Sequence, residues 1–328
     1  MVYGRMIIIK SSLEGRGTRM DVTIACGQMS SIPYENAKNL EKAEAMVREA
    51  SGKGARIIVL PEVFNPGYDH TDRQFEHAET MDGPTITRLS ELAAELDVYI
   101  TGGLTERAEH DFFNTMFFIG PGGLMARYHK KHVFSLECRY WKRGKDVCIV
   151  DTEFGAIGLG ICADMHYPRL WRQYAGKVDL ILVCSAWPLA PPKIDVTYGK
   201  HEEQLCKDLP VQISRVFHVP VAYCNAAHDG TGEVPVAGLL SCQGNSKIVD
   251  DGRVVASIET RDDKVIVGTV HVGEERPEVD PAQFKKWITY RPREWFVKFM
   301  VERLALLYAI PYYHRHKRKY LKAADSSK

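Results

Sequence analysis

The apolar positions of this chain fall into two rhythms, one of strands and one of helices. Residues 22–29 form a near-continuous apolar run, the pattern of a strand covered on both faces. Between residues 34 and 52, Leu40, Ala43, Met46 and Val47 recur at helical spacing and predict an amphipathic helix. Residues 55–60 are rich in β-branched side chains and predict a strand that stops at Pro61-Glu62. A helix is expected over 85–96, then a strand over 98–104 closed by glycines. Residues 114–119 and 124–128 flank a Pro-Gly-Gly turn and predict a hairpin. A second strand pair, 148–151 and 156–161, turns at Gly155.

The same alternation continues. The pattern predicts a helix over 168–174, a strand over 179–186 and a helix over 200–217. Strands are expected over 219–225, 238–249 and 253–258, with a turn at Asp250-Asp251-Gly252 and a last strand over 264–271. Interleaved strands and helices with several hairpins predict one layered α/β domain over 21–272. Residues 1–20 read as an irregular extension. Residues 273–328 read as a tail whose helix, 293–310, has an apolar face suited to contact with a second subunit. Its basic end, HRHKRK at 314–319, reads as solvated.

Composition narrows the function. The 328 residues are 45% apolar and 26% charged, the balance of a globular protein with a sizeable core. A formal net charge of +1 gives no reason to expect nucleic acid. No apolar run approaches the ~18–20 residues a bilayer requires, so no membrane association is expected. The MIIIK patch near the start is too short for a signal-peptide core. Eight cysteines are scattered without a CxxC pair, and Cys26, Cys184 and Cys224 lie in apolar runs. That usage suits a reducing compartment and points to the cytoplasm. The histidines show no zinc-ligand spacing, so neither metal nor cofactor is expected.

Three segments carry candidate chemistry. In GAIGLGICADMHYP, 155–168, a glycine-rich strand runs into Cys162 and a turn leads to a helix. This presents a side chain at a strand's C-terminal end, where α/β folds place their sites, and a helix N-terminus there would favour the thiolate. A cysteine after an apolar strand is also a common core residue. In IIVLPEVFNPGYD, 57–69, Glu62 sits directly after a buried strand. It reads either as a surface carboxylate or as one desolvated enough for acid–base work. In YHKKHVF, 128–134, one of two adjacent lysines is a candidate to turn inward, although paired lysines usually mark the surface.

Together, in the order Glu62, Lys130, Cys162, these segments resemble the nitrilase (carbon–nitrogen hydrolase) superfamily. The carrying stretches are Leu60-Pro61-Glu62, residues 128–134 and residues 158–168. Further matches occur at 180–187, 221–225 and 244–252. The resemblance covers roughly 21–272. It implies a four-layer αββα sandwich and a Glu–Lys–Cys triad in which Lys130, not Lys131, takes the lysine place. It also implies a second glutamate, Glu137, that orients the lysine or assists proton transfer. The nucleophile context is Cys-Ala-Asp, closer to amidases and N-carbamoyl hydrolases than to true nitrilases. Two departures stand out: His129 replaces a common arginine, and Arg169 replaces the glutamate usual after the proline.

The resemblance implies hydrolysis of an amide or N-carbamoyl group of a small molecule through a thioester on Cys162. Lys130 and the backbone N–H of Ala163 would hold the oxyanion. Candidate pocket residues are Asn65, Tyr68 and Trp141 on one side, and His166, Tyr167, Arg169 and Trp187 on the other. His166 with Arg169 is a candidate site for a substrate carboxylate. A homodimer or a larger homo-oligomer is expected from the family's habit. Nitrile hydrolysis, acyl transfer by the same triad, and a non-catalytic binding protein on this fold remain as alternatives. A papain-like protease would need a local signature that the chain lacks.

Overall fold

The computed structural model describes residues 6–9, 20–188, 195–227, 242–273, 276 and 278–325. Within them the strands form two mixed sheets. One runs in the order β13-β2-β3-β4-β5-β6. Its strands are β2 (Met20–Gln28), β3 (Ile57–Val59), β4 (Tyr99–Arg107), β5 (Phe112–Gly120), β6 (Gly123–His129) and β13 (Lys264–Val272). The other runs β1-β7-β8-β9-β10-β11-β12. It comprises β1 (Met6–Ile9), β7 (Val147–Thr152), β8 (Gly155–Ile161), β9 (Leu180–Ser185), β10 (Val221–Asn225), β11 (Lys247–Asp250) and β12 (Arg253–Ser257).

The layering follows from the apolar runs. Side chains alternate across a strand, so a continuous apolar run needs two covers. On β2, Val22, Ile24 and Cys26 join the large core that holds the second sheet, whereas Ala25 joins the cluster under the first two long helices. On and just after β3, Ile57 and Val59 face the first core, and Ile58 and Leu60 the second. Those helices are α1 (Asn36–Gly52) and α3 (Pro84–Leu96), and a short α2 (Arg73–Glu76) lies between them in sequence. The second sheet is covered by α4 (Pro168–Tyr174) and α5 (Val196–Phe217), which contribute Trp171, Leu209 and Phe217 to the core. Helices on both outer faces of two sheets give the αββα sandwich that the motifs implied.

Three expectations change. Residues 6–9, read as part of an irregular extension, form β1, which pairs in parallel with β7. A four-residue run is too short to announce itself, and the sheet edge supplies its partner. The C-terminal helix expected over 293–310 is present and runs further: α6 (Pro292–Phe299), a π-helical turn at 300–304 and α7 (Ala305–Asp325) follow one another without a break. The basic end at 314–319 lies inside α7; His314, Arg315, Arg318 and Lys319 are exposed, and Lys317 is docked. Its Lys317 pairs with Asp111, and Tyr313 accepts the Phe112 backbone N–H at 2.9 Å and donates to Asp111 at 3.0 Å. Like charges suggested a solvated end, and for Lys317 a carboxylate across the fold decides otherwise. The strand expected over 238–249 lies partly outside the described residues, and β11 begins at Lys247.

Candidate active site

The loop after β3 turns sharply at Val63, whose φ of 49° lies in the left-handed region. Gly103 on β4 backs onto this turn. A Cβ on it would stand 2.7 Å from Val63 N and 2.8 Å from Glu62 Cα, so only glycine fits. Glu62 is thereby pushed into the interior, where its side chain has no exposed surface. Its Oε1 accepts from Lys130 Nζ at 2.6 Å and Asn114 Nδ2 at 2.6 Å. Its Oε2 accepts the backbone N–H of Ala186 at 2.7 Å. Burial raises the Glu62 pKa above the usual carboxylate value, the Lys130 charge opposes this, and Glu137 adds to it.

Lys130 extends the end of β6. Its N–H donates to Asn114 O, and its carbonyl accepts from Gly144 N–H, both at 2.8 Å. The ammonium bridges Glu62 and Glu137, the latter at 2.8 Å. Burial disfavours that charge, but the carboxylates of Glu137 and Glu62 outweigh it and hold the pKa well above the ordinary lysine value. Glu137 sits on a 3₁₀ turn, Ser135–Arg139, and accepts the Phe134 N–H at 2.7 Å through Oε2. Its Oε1 also accepts from the Tyr68 hydroxyl. Lys131 instead gives its ammonium to the carbonyl of Lys145.

Cys162 is the first residue after β8 and opens a 3₁₀ turn, Cys162–His166. Its φ is 42°, a left-handed conformation that costs a non-glycine residue about 1–3 kcal/mol and marks functional sites. Asp164 holds the elbow. Its carboxylate accepts from Ile161 N–H at 3.1 Å, Tyr128 OH at 2.7 Å and His132 N–H at 2.9 Å. Tyr128 and His132, which flank Lys130, thus tie the lysine segment to the cysteine segment. The thiol is buried, beside the Ser185 hydroxyl and under the charges of Glu62 and Lys130. Burial, then Glu62, pushes its pKa well above the ordinary thiol value. Desolvation outweighs the favour to a thiolate that a helix N-terminus suggested, and the turn is only five residues long.

The other candidates separate. Tyr68 stacks on Trp141 at 6.1 Å, and Trp141 donates through Nε1 to Thr105 at 3.2 Å. Ala163 follows Cys162 in the buried turn. His166 packs on Trp187 at 4.7 Å and meets Glu202 through Nε2 at 3.1 Å. Tyr167 stacks on His132 at 4.1 Å. Arg169 points into solvent from the first turn of α4, so it does not join the buried His166 in one anion site. Asn65 is a framework residue: it donates to Glu79 at 2.7 Å and to Thr85, and its carbonyl receives Asn39.

Residues that the sequence did not single out complete the site. Asn114 and the Ala186 N–H anchor Glu62, Ser185 lies beside the thiol, and Glu202 faces His166. For Asn114 and Ser185 the signal is polarity inside an apolar run, as at Ser185 within ILVCSAW; Glu202 sits in the charged run KHEEQ and carries none. A carboxylate accepts about four hydrogen bonds. Three of the Glu62 sites are filled, and one on Oε2 remains for a proton donor. A carboxylate, an ammonium and a thiol are therefore buried within reach of one another's charges. Among the described residues no three His, Cys, Asp or Glu side chains are grouped as a metal ion requires.

Known proteins share this plan. The pattern of the carbon-nitrogen hydrolase family matches residues 23–277. A probable nitrilase of Schizosaccharomyces pombe is 29% identical over 267 residues, covering 79% of this chain and 92% of that protein. An omega-amidase of Homo sapiens is 35% identical over 168 residues, 48% of this chain and 59% of that protein, so this second match spans little over half of the relative. Among solved structures, a carbon–nitrogen hydrolase superfamily protein of Xanthomonas campestris superposes with a TM-score of 0.63 at 24% identity, covering 81% of this chain and 93% of that one. An amidase of Nesterenkonia, with an acetamide moiety on its active-site cysteine, has a TM-score of 0.63 at 18% identity, covering 84% and 95%. This chain belongs to the carbon–nitrogen hydrolase family, whose members include amidases, omega-amidases and nitrilases, and it is an enzyme that acts on C–N bonds.

Proposed function

We propose that Glu62, Lys130 and Cys162 hydrolyse a small-molecule amide or N-carbamoyl group through a thioester. The observation that carries this reading is the buried Lys130 ammonium held between Glu62 and Glu137 beside a strained, buried cysteine. Glu62 takes the thiol proton as sulfur attacks the carbonyl carbon. The oxyanion is met by the Lys130 ammonium and the Ala163 N–H. Collapse of the oxyanion breaks the C–N bond, and the Glu62 proton leaves with the nitrogen. Water then adds to the thioester with Glu62 as base, and the proton returns to sulfur as the acid departs. Glu137 and Tyr68 hold Lys130 in place.

The Cys-Ala-Asp context favours amide or carbamoyl substrates over nitriles. Tyr68, Trp141, Tyr167 and Trp187 supply aromatic surface near the elbow, and His166 supplies a polar contact. Arg169 is left out because it faces solvent. Buried cysteines in a reduced state suit a reducing compartment, and we place the protein in the cytoplasm. The test is ammonia release across amides, N-carbamoyl compounds and nitriles, with Cys162→Ala as control. Turnover of amides or carbamoyl compounds that vanishes in Cys162→Ala supports the reading. Turnover of nitriles alone, or activity that survives Cys162→Ala, overturns it.

A further inference from the structure

Behind the nucleophile lies a line of buried polar groups that the scheme above leaves unused. Strand register places it. Ile161 of β8 pairs with Cys184 of β9, so the next step sets Cys162 opposite Ser185, whose hydroxyl is among the groups that act on the thiol. Tyr223 of β10 pairs with Val183, two residues before Ser185 and on the same sheet face. The Tyr223 hydroxyl lies 3.3 Å from Ser185 Oγ and 3.2 Å from Cys206 Sγ, which reaches down from α5. Asn225 Nδ2 approaches Cys206 Sγ at 3.8 Å. Cys206, Tyr223 and Ser185 are fully buried.

The polarity of this line is set at its far end. The Asn225 side-chain oxygen accepts the Trp187 backbone N–H at 2.8 Å, and its nitrogen donates to Gly244 O at 2.7 Å. The Asn225 amide therefore cannot be reversed, and it gives a hydrogen to Cys206. The Cys206 S–H is left for the Tyr223 oxygen. Tyr223 then has its own hydrogen for Ser185, and Ser185 has its hydrogen for Cys162. The reverse order would leave the Cys206 hydrogen without an acceptor, a cost buried groups avoid. Burial pushes the Cys206 thiol up to about 12 and the Tyr223 hydroxyl well above its ordinary value, so both keep the hydrogens they donate.

We propose that Ser185 is a positioning residue that donates its hydroxyl hydrogen to the Cys162 sulfur, held in that sense by Tyr223, Cys206 and Asn225. The donated hydrogen bond turns the thiol's own proton away from Ser185, toward Glu62. It also stabilises the thiolate as it forms, because donors aligned in one direction reinforce each other. The arrangement rests on Cys162 being the nucleophile.

The test is the rate at which iodoacetamide alkylates Cys162, followed by peptide mass across the neutral to alkaline range. It needs no substrate. Ser185→Ala should move the profile to higher pH by about one to two units, the size of a charge-assisted hydrogen bond lost from the thiolate. Tyr223→Phe, which removes only the oxygen, should move it the same way by less, and Ser185→Thr should restore the wild-type profile. A shift to lower pH would mean that Ser185 accepts from the thiol, and no shift would mean a packing role. Either result overturns the proposal. If Ser185→Ala does not fold, Tyr223→Phe decides alone. If Cys162→Ala still releases ammonia at the wild-type rate, the nucleophile assignment itself has failed, which the alkylation profile does not measure.

Discussion

Lys130 Nζ stands 2.6 Å from Glu62 Oε1, and neither side chain exposes any surface. Two opposite charges removed from water are tolerable only while they hold each other. Lys130→Ala leaves two buried carboxylates without their cation. It should cost about 3–5 kcal/mol in denaturant unfolding and at least ~100-fold in turnover through loss of an oxyanion donor. Lys131→Ala, which loses one contact to a backbone carbonyl, should change both little. The opposite ranking would move the oxyanion role to Lys131.

Gly103 tests how Glu62 is aimed. Alanine there meets the backbone of Glu62 and Val63 at 2.8 Å and 2.7 Å, and backbone cannot swing aside. Gly103→Ala should destabilise by about 1–3 kcal/mol, the ordinary cost of overpacking. Turnover should fall about 100-fold, because a small misplacement of a catalytic group is that costly. Wild-type kinetics in this variant would show that the base has more freedom than the structure gives it.

Acid should reveal Glu202. Burial alone would raise its pKa, but the charge and hydrogen bond of His166 lead a set of partners, Lys298 and Tyr290 among them, that lower it from 4.5 to about 2. A carboxyl lowered by folding stabilises above its unfolded value and loses that contribution as pH falls through the folded one. Stability should therefore decline between about 4.5 and about 2. Glu202→Gln should flatten that part of a melting-temperature profile. An unchanged acid limb would remove Glu202 from the account.

The outer face of the C-terminal helices should govern assembly. Trp295 and Phe296 are each 57% exposed and Leu307 is 75% exposed, a cluster uncommon on a monomer. Light scattering at micromolar protein should show a dimer or a larger even oligomer. Leu307→Lys with Trp295→Lys should lower that mass. A monomeric wild type would contradict the proposed contact.

The sequence was most legible where chemistry and chain neighbourhood coincide. Leu60-Pro61-Glu62, the lysine between Tyr128 and His132, and Cys162 before Asp164 are local patterns. The structure shows why their neighbours matter, since Tyr128 and His132 both bond Asp164. Asn114 and Ser185 were not legible, because each is one polar residue in an apolar run whose partner lies on another strand or helix, and Glu202 is hidden among the charged residues of Lys200-His201-Glu202-Glu203-Gln204. Asn65 bonds Glu79 and Thr85, and Arg169 lies exposed; neither placement is written in their sequence neighbours. The docking of α7 was hidden for the same reason: Asp111, which receives Lys317, lies about two hundred residues away.

The claim that Cys162 forms the thioester is tested most directly by peptide mass after rapid acid quench of the enzyme turning over an amide that the release panel identifies. The account predicts an acyl group on the peptide carrying Cys162, absent from Cys162→Ala and dischargeable by hydroxylamine. Turnover with no acyl group on Cys162 at any quench time, or an acyl group on another residue, would contradict it.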